Sequence, residues 1–378
     1  MITMADWKVS RKQKKLIKEV LKSGRLTYGP KTAELEEKFA EAHDRKYAMF
    51  TSSGTAALQI ALHALKDELG WKDGDEVIMP AVTFVATMNV ITYNNLKPKL
   101  VDVGPDMNIN PDLIKKAITK KTKAIMVVHL LGRPADMKRI LQIAVKHKLP
   151  VIEDSCETMF VPRDGLVVGS SGTIACFSTY LAHLMVTGVG GFIVTDNKKL
   201  SDIMRSMMFH GRDNSYLSMD DNNKEDVFKK RFLFVRQGYS SRATELEAAL
   251  GLGDMDTWGK MILKRQNNAI YLRSKLADLP IEFPWDNPFE HAFMFFPMIV
   301  QNRDKLMKYL EDEGVHTRTM LPLTNQPIVQ KILGKNIEKK YPMADYANKY
   351  GLLIGCHQYM KKKDLDYIIN KIRSFYGL

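Results

Sequence analysis

From Tyr47 to Asp154 short apolar runs alternate with longer amphipathic segments, and few folds satisfy that rhythm. YAMFTSS, EVIMPAV, KPKLVDV, KAIMVVHLL and LPVIED read as buried strands bounded by Gly, Pro, Asp or Lys. TAALQIALHALKDEL, PDLIKKAITK and PADMKRILQIAVKHK read as helices. Asn110–Pro111 and Arg133–Pro134 mark the starts of the last two, because proline suits a first helical turn. Such alternation predicts a mostly parallel sheet covered on both faces. Two further strand-like runs, GTIACFSTY and GGFIVTDN, flank LAHLMVTGV. Helical segments follow over Lys198–Met208 and from Ala243 to near Asp278. The tail changes character: FMFFPMIV reads as a strand, and RDKLMKYLEDEG and DLDYIINKIRSFYG as helices. The expectation is a large α/β domain over residues 1–257 and a smaller α+β domain over 258–378.

The 378 residues leave room for two cores. Apolar runs such as Ala124 to Leu131 fall far short of the ~20 residues that span a bilayer. MITMADWKVSRKQKK has no apolar stretch after its charges, so a secretory signal is not expected there. Cys156, Cys176 and Cys356 lack paired spacing, which predicts neither a disulfide framework nor a zinc or other metal site. A reducing cytoplasm is expected. The formal net charge of +13 is spread in pairs and triplets such as Lys14–Lys15 and Lys361–Lys363. No aromatic-interleaved basic stripe accompanies it, so neither a nucleic acid nor a membrane is an expected partner. The positive field either solvates the surface or attracts an anionic small substrate.

Three places carry chemistry. Ser52-Ser53-Gly54-Thr55 lies between a strand and a helix, where unpaired N–H groups and a partial positive charge suit a phosphate. The same residues also make an ordinary helix cap. Asp154 ends the strand LPVIED, and ligands of parallel α/β sheets bind at the carboxyl ends of strands. A carboxylate there can pair with a protonated pyridine nitrogen, or merely bond a neighbouring loop. His183 comes five residues after Ser178 and precedes the Gly190-Gly191 turn, a setting for either a pocket residue or a structural histidine. Taken alone, these features describe an α/β enzyme with a phosphate-bearing ligand.

In order and spacing the pieces resemble the DegT/DnrJ/StrS family of sugar aminotransferases and dehydratases, fold-type I pyridoxal phosphate enzymes. The resemblance runs from GRLTYGPKTAELEEKFA and SSGTAALQIAL through DEVIMPAVTFVATMNVITYNNLKPKLVDV, VVHLLGRPADM, VIEDSCE and CFSTYLAHLMVTGVGGFIVTD. It continues in FHGRD, GYSSRATELEAALGL, GVHTRTMLPLTNQP and IGCHQ. It implies a seven-stranded, mostly parallel sheet between helices, plus a smaller C-terminal α+β domain. The implied cofactor is pyridoxal or pyridoxamine 5'-phosphate, and the implied assembly is a homodimer with shared active sites.

Carried over residue by residue, the resemblance assigns cofactor phosphate to Gly54 and Thr55 with Ser53 nearby, and to Ser178. It stacks Phe84 on the pyridine ring and pairs Asp154 with the ring nitrogen. Glu157 stands beside the cofactor, where aminotransferases have glutamine and the related dehydratases an acid. Ser240 of Gly238-Tyr239-Ser240 replaces an asparagine that reaches a phosphate across the dimer interface. Arg318 and His357 become candidate substrate contacts, or else interdomain structure.

The main departure is at His183, where the aminotransferases have the lysine that attaches the cofactor covalently. Imidazole cannot form that bond. The same swap marks the branch of 3-dehydratases acting on nucleotide-linked 4-keto-6-deoxy sugars. There the cofactor is held non-covalently as pyridoxamine phosphate, the histidine removes a proton, and the C3 hydroxyl leaves. Histidine suits proton transfer near neutral pH. A second histidine and an acid found in some of these dehydratases are here Leu184 and Val189. The resemblance thus implies a nucleotide-linked sugar substrate, glutamate as amino donor, and a place in making deoxysugars for polysaccharides or glycosylated metabolites. Amino transfer without a covalent lysine, and a binding or regulatory protein that kept the fold, are the alternatives.

Overall fold

The parallel sheet expected from the alternation is built from strands β1 (Tyr47–Thr51), β2 (Glu76–Pro80), β3 (Lys97–Val101), β4 (Thr122–Val128) and β5 (Val151–Asp154). After a small hairpin, β6 (Pro162–Arg163) and β7 (Leu166–Val167), come β8 (Ile174–Ser178) and β9 (Gly191–Thr195). Their order is β1-β9-β8-β5-β4-β2-β3 in the computed structural model, which describes residues 1–213, 232–321 and 323–378. Strand β9, between β1 and β8, runs antiparallel to both, and the remaining pairs are parallel. Every residue of β8 and β9 is buried, as strands covered on both faces must be.

Local chemistry sets most helix boundaries. Ser53 caps the helix Gly54–Leu69 by accepting from the Ala56 amide, and Gly70 ends it in the left-handed region. Pro111 opens Pro111–Ala117 as expected, behind an Asn110 cap. Arg133–Pro134 does not open a helix: Met137–His147 starts later, capped by Asp136. The chain before it is committed to a turn in which Leu131 has φ 56° and Gly132 φ 105°. The amides of Leu131, Gly132 and Ala135 go to Glu157, Thr158 and His129. The helical run expected from Ala243 is two helices, Glu245–Met255 and Trp258–Leu276, with Asp256 and Thr257 between them.

The tail forms a second, antiparallel sheet from β10 (Ile281–Glu282), β11 (Phe296–Val300), β12 (Thr317–Thr319) and β13 (Gly351–Ile354), ordered β10-β11-β13-β12. Its core joins Leu272, Leu276, Phe296, Met298 and Leu352 to Ile368 of the closing helix Lys362–Phe375. The first residues of the chain lie against this sheet, where Ile2 bridges Val315. Pro322 of GVHTRTMLPLTNQP lies outside the described residues. Among the described residues no helix is long and apolar enough to cross a membrane.

Candidate active site

All parallel strands of the large sheet end at one edge, and the residues singled out from the sequence follow those ends. The Ser53–Thr55 turn comes after β1, Phe84 after β2, Asp154 and Glu157 at and after β5, and Ser178 and His183 at and after β8. Because β9 is reversed, its first residue, Gly191, sits at the same edge, paired with Ser178. A methyl group on Gly54 would lie 2.6 Å from Ser178 Cβ and 2.7 Å from Cys156 Sγ. One on Gly191 would lie 2.6 Å from the Gly54 nitrogen. Glycine at both places lets the helix N-terminus sit directly on the strand ends, with its first amides lacking intrahelical partners.

Adjacent strand residues face opposite sides, so Glu153 and Asp154 do different things. Glu153 is fully buried and accepts from His129 Nε2 at 2.9 Å and from the Gly169, Ser171 and Gly172 amides. Burial pushes its carboxyl up, but His129 and those amides hold it below its ordinary value. Asp154 faces the site. Its Oδ2 accepts from Thr87 Oγ1 at 2.8 Å and its Oδ1 from the Cys156 amide at 3.2 Å. Burial raises its carboxyl against the pull of Cys156 and Thr87. Glu157 accepts from the Leu131 amide at 2.8 Å and is pushed up to about 7, chiefly by burial.

His183 sits in a loop whose neck is closed by Thr179 and Thr187. The Thr187 amide donates to the Thr179 carbonyl, and their hydroxyls lie 2.5 Å apart. The imidazole Nδ1 is shielded from solvent and has no hydrogen-bond partner. Burial pushes the ring down to about 4, against the pull of the Ser178 backbone. No lysine occurs between Ser178 and Gly191.

The remaining expected site residues are placed less centrally. Ser53 spends its hydroxyl on the Ala56 cap, and Thr55 is exposed. Ser240 is exposed on a segment bridged to Phe209 and accepts from Arg242. Arg318 lies exposed on the edge strand β12 and donates to the Thr317 carbonyl. His357 is buried shortly after β13, where burial and then Arg265 push it down to about 4. Among the described residues no hydrogen bond, ion pair or ring contact joins Arg318 or His357 to Asp154, Ser178 or His183.

Sequence reasoning passed over Thr83 and Thr87, which form a hydroxyl chain behind Asp154 with 2.7 Å between them. Their spacing of four residues, next to Phe84, was the available signal. It also passed over Leu131, whose left-handed turn aims its amide at Glu157.

Pyridoxal or pyridoxamine phosphate fits these residues on three counts. Asp154 is a buried carboxylate with only neutral donors, and a protonated ring nitrogen would supply the missing cation. Phe84 leaves 59% of its surface open at the site, an apolar face for a planar ring. The Gly54 amide and its neighbours form an anion-binding helix start. Among the described residues no cluster of His, Cys, Asp and Glu has the makings of a metal site.

Known proteins place the chain more narrowly. It is 30% identical to a GDP-4-keto-6-deoxy-D-mannose 3-dehydratase of Escherichia coli O55:H7, over 94% of this chain and 95% of that one. It is 32% identical to a pleiotropic regulatory protein of Geobacillus stearothermophilus, over 96% and 94%. Among solved structures, the E. coli GDP-4-keto-6-deoxy-D-mannose-3-dehydratase with bound hydrated PLP matches with a TM-score of 0.89. That match has 28% identity and covers 98% of this chain and 99% of the other. A GDP-4-keto-6-deoxymannose-3-dehydratase holding a trapped PLP–glutamate adduct matches at 0.89 and 27%, over 98% and 100%. The family profile itself matches residues 8–373: the chain belongs to the DegT/DnrJ/EryC1/StrS aminotransferase family.

Proposed function

We propose that this protein is a 3-dehydratase of a nucleotide-linked 4-keto-6-deoxy sugar, using non-covalent pyridoxamine phosphate with His183 as general base. One observation carries the reading. An imidazole with an unpartnered, buried Nδ1 occupies the loop where covalent attachment would need an amine, in a site that keeps Asp154, Ser178, Phe84 and the Gly54 cradle. When bound, the cofactor supplies an amine for the C4 ketone and an electron-poor ring that accepts an electron pair.

The protein's own residues do the rest. Asp154 holds a positive charge at the ring nitrogen, with Thr87 and the Cys156 amide fixing its oxygens. Gly54, Thr55 and Ser178 hold phosphate, and Glu157 stands beside the cofactor as a carboxyl that is half protonated near pH 7. His183 is neutral at that pH and so has a lone pair for a proton. Phosphates of cofactor and substrate would raise its basicity from about 4 toward the range useful for transfer. The resulting imidazolium then protonates the departing C3 hydroxyl.

The E. coli relative's activity makes a GDP-linked sugar the first substrate to try, and the PLP–glutamate adduct of its structural neighbour makes glutamate the first amino donor. Exposed Tyr180, Leu181 and Val189 on the loop that carries His183 support a homodimer that covers them. The division into a cofactor unit (1–257) and a covering unit (258–378), with residues 1–4 laid against the latter, belongs to the same proposal, as does a cytoplasmic location. A second reading, a regulatory protein, draws on the Geobacillus relative.

Adding pyridoxal phosphate and then glutamate to wild type and to His183→Lys, followed by absorption spectra and borohydride trapping, separates these. The dehydratase reading expects a bound cofactor that borohydride does not fix to wild type but does fix to the lysine variant. Failure of both proteins to hold the cofactor would overturn it.

A further inference from the structure

The three residues after His183 are buried, and one of them is tied to a distant helix. Leu184, Met185 and Val186 are all under 5% exposed. The Val186 amide donates to Asp254 Oδ2 at 3.0 Å. The other oxygen, Oδ1, accepts from Gln13 Nε2 at 3.0 Å. Gln13 is itself buried in the helix Arg11–Ser23; its Nε2 also donates to the Leu250 carbonyl, and its Oε1 accepts from the Ser10 amide.

Two glycines let the helix Glu245–Met255 press against these parts. A methyl group on Gly251 would lie 2.7 Å from Met185 Cε and 3.1 Å from Thr187 Cγ2. One on Gly253 would collide with Gln13 Cγ. Glycine in a helix interior costs roughly 1 kcal/mol against alanine, so two in three residues need a reason. Close approach is that reason here: one glycine admits the His183 loop and the other admits Gln13.

We propose that Asp254 is a positioning residue, and that the Gln13–Asp254–Val186 tether fixes the loop that carries His183 over the strand ends. The neck of the loop is held separately by the Thr179–Thr187 pair, so the tether sets the depth of the stretch after His183 rather than closing the loop. Without it, Val186 loses its acceptor, Leu184 and Met185 lift from the core, and the imidazole moves toward water. Asp254 touches neither the imidazole nor any reacting atom. This inference rests on His183 being the base only for its catalytic consequence; the positional claim stands apart from it.

The test compares Asp254→Ala with Asp254→Asn, whose amide oxygen still accepts from Val186, in protein with labelled histidine. The NMR titration of His183 is read without cofactor. In Asp254→Ala its midpoint rises by about one unit toward the ordinary 6.5, because the ring gains water. Asp254→Asn keeps the acceptor for Val186 but turns an amide nitrogen toward the donor Gln13 Nε2, so it loses that leg alone and its midpoint rises by less than half as much. In turnover on the sugar substrate, Asp254→Ala lowers kcat about tenfold with KM nearly unchanged, and Asp254→Asn, which keeps one of the two legs, loses less. An unchanged His183 titration in folded Asp254→Ala would overturn the tether. Should that variant not fold, Gln13→Leu, which removes the second leg, must shift the same midpoint upward or the proposal fails. An altered titration in a protein with no turnover would instead count against the dehydratase reading and leave the tether standing.

Discussion

Thr87 Oγ1 donates to Asp154 Oδ2 at 2.8 Å, and Thr83 stands 2.7 Å behind it. A neutral hydroxyl thus holds the carboxylate at the end of β5. Thr87→Val should leave Asp154 with an unmet oxygen, a cost of about 1–3 kcal/mol, and weaken cofactor binding by roughly tenfold. Thr87→Ser should keep both near wild type. Absorbance titration with pyridoxal phosphate and thermal melts check the pair.

Glu153 and Asp154 are neighbours with separable jobs. Glu153→Ala strips four donors of their acceptor in a fully buried site and should destabilise the fold by about 3 kcal/mol or more. Asp154→Asn should melt close to wild type while losing the charge that favours a protonated ring nitrogen. Melting curves with and without cofactor distinguish the two.

Glu157 makes stability depend on pH with a definite sign. Its folded value, about 7, lies above its ordinary 4.5, so its contribution is complete below pH 4.5 and is lost as pH rises through 7. At 1.36 kcal/mol per unit the loss is on the order of 3 kcal/mol. Glu157→Gln cannot lose a proton, so its melting temperature should gain on wild type from pH 5 to about pH 7 and level off above that. His183 has the opposite sign: held down to about 4, it supports the fold above pH 6.5 and withdraws that support as pH falls toward 4. Parallel wild-type and variant pH–melting curves check both.

Gly54 is required by contact rather than by backbone angle. Gly54→Ala places its methyl within 2.7 Å of Ser178 and Cys156 and must push the helix start off the strand ends. Phosphate binding should fall at least tenfold, read as a pyridoxal phosphate Kd, with a lower melting temperature.

Local pattern made much of this molecule legible. Buried strands declared themselves as apolar runs, Lys198–Met208 is a helix with the bounds its periodicity gave, and Asp154 stood at a strand end where ligands bind. What stayed hidden depends on contacts far apart in sequence. Pro134 looked like a helix start, yet the amides around it are claimed by Glu157, Thr158 and His129. Strands β12 and β13 are short, and only their pairing with each other and with β11 makes them strands. Asp254 lies 68 residues from Val186, and no periodicity links them, although Gly251 and Gly253 inside a helix were a visible sign of close packing.

The most direct measurement is the product formed from a GDP-linked 4-keto-6-deoxy sugar with pyridoxal phosphate and glutamate, followed by mass spectrometry and an ammonia assay. The account predicts a sugar that has lost its C3 hydroxyl, ammonia released in equal amount, and neither in His183→Asn. An amino group retained at C4 would contradict it, and so would a cofactor-loaded protein that leaves this and other nucleotide-linked keto sugars unchanged.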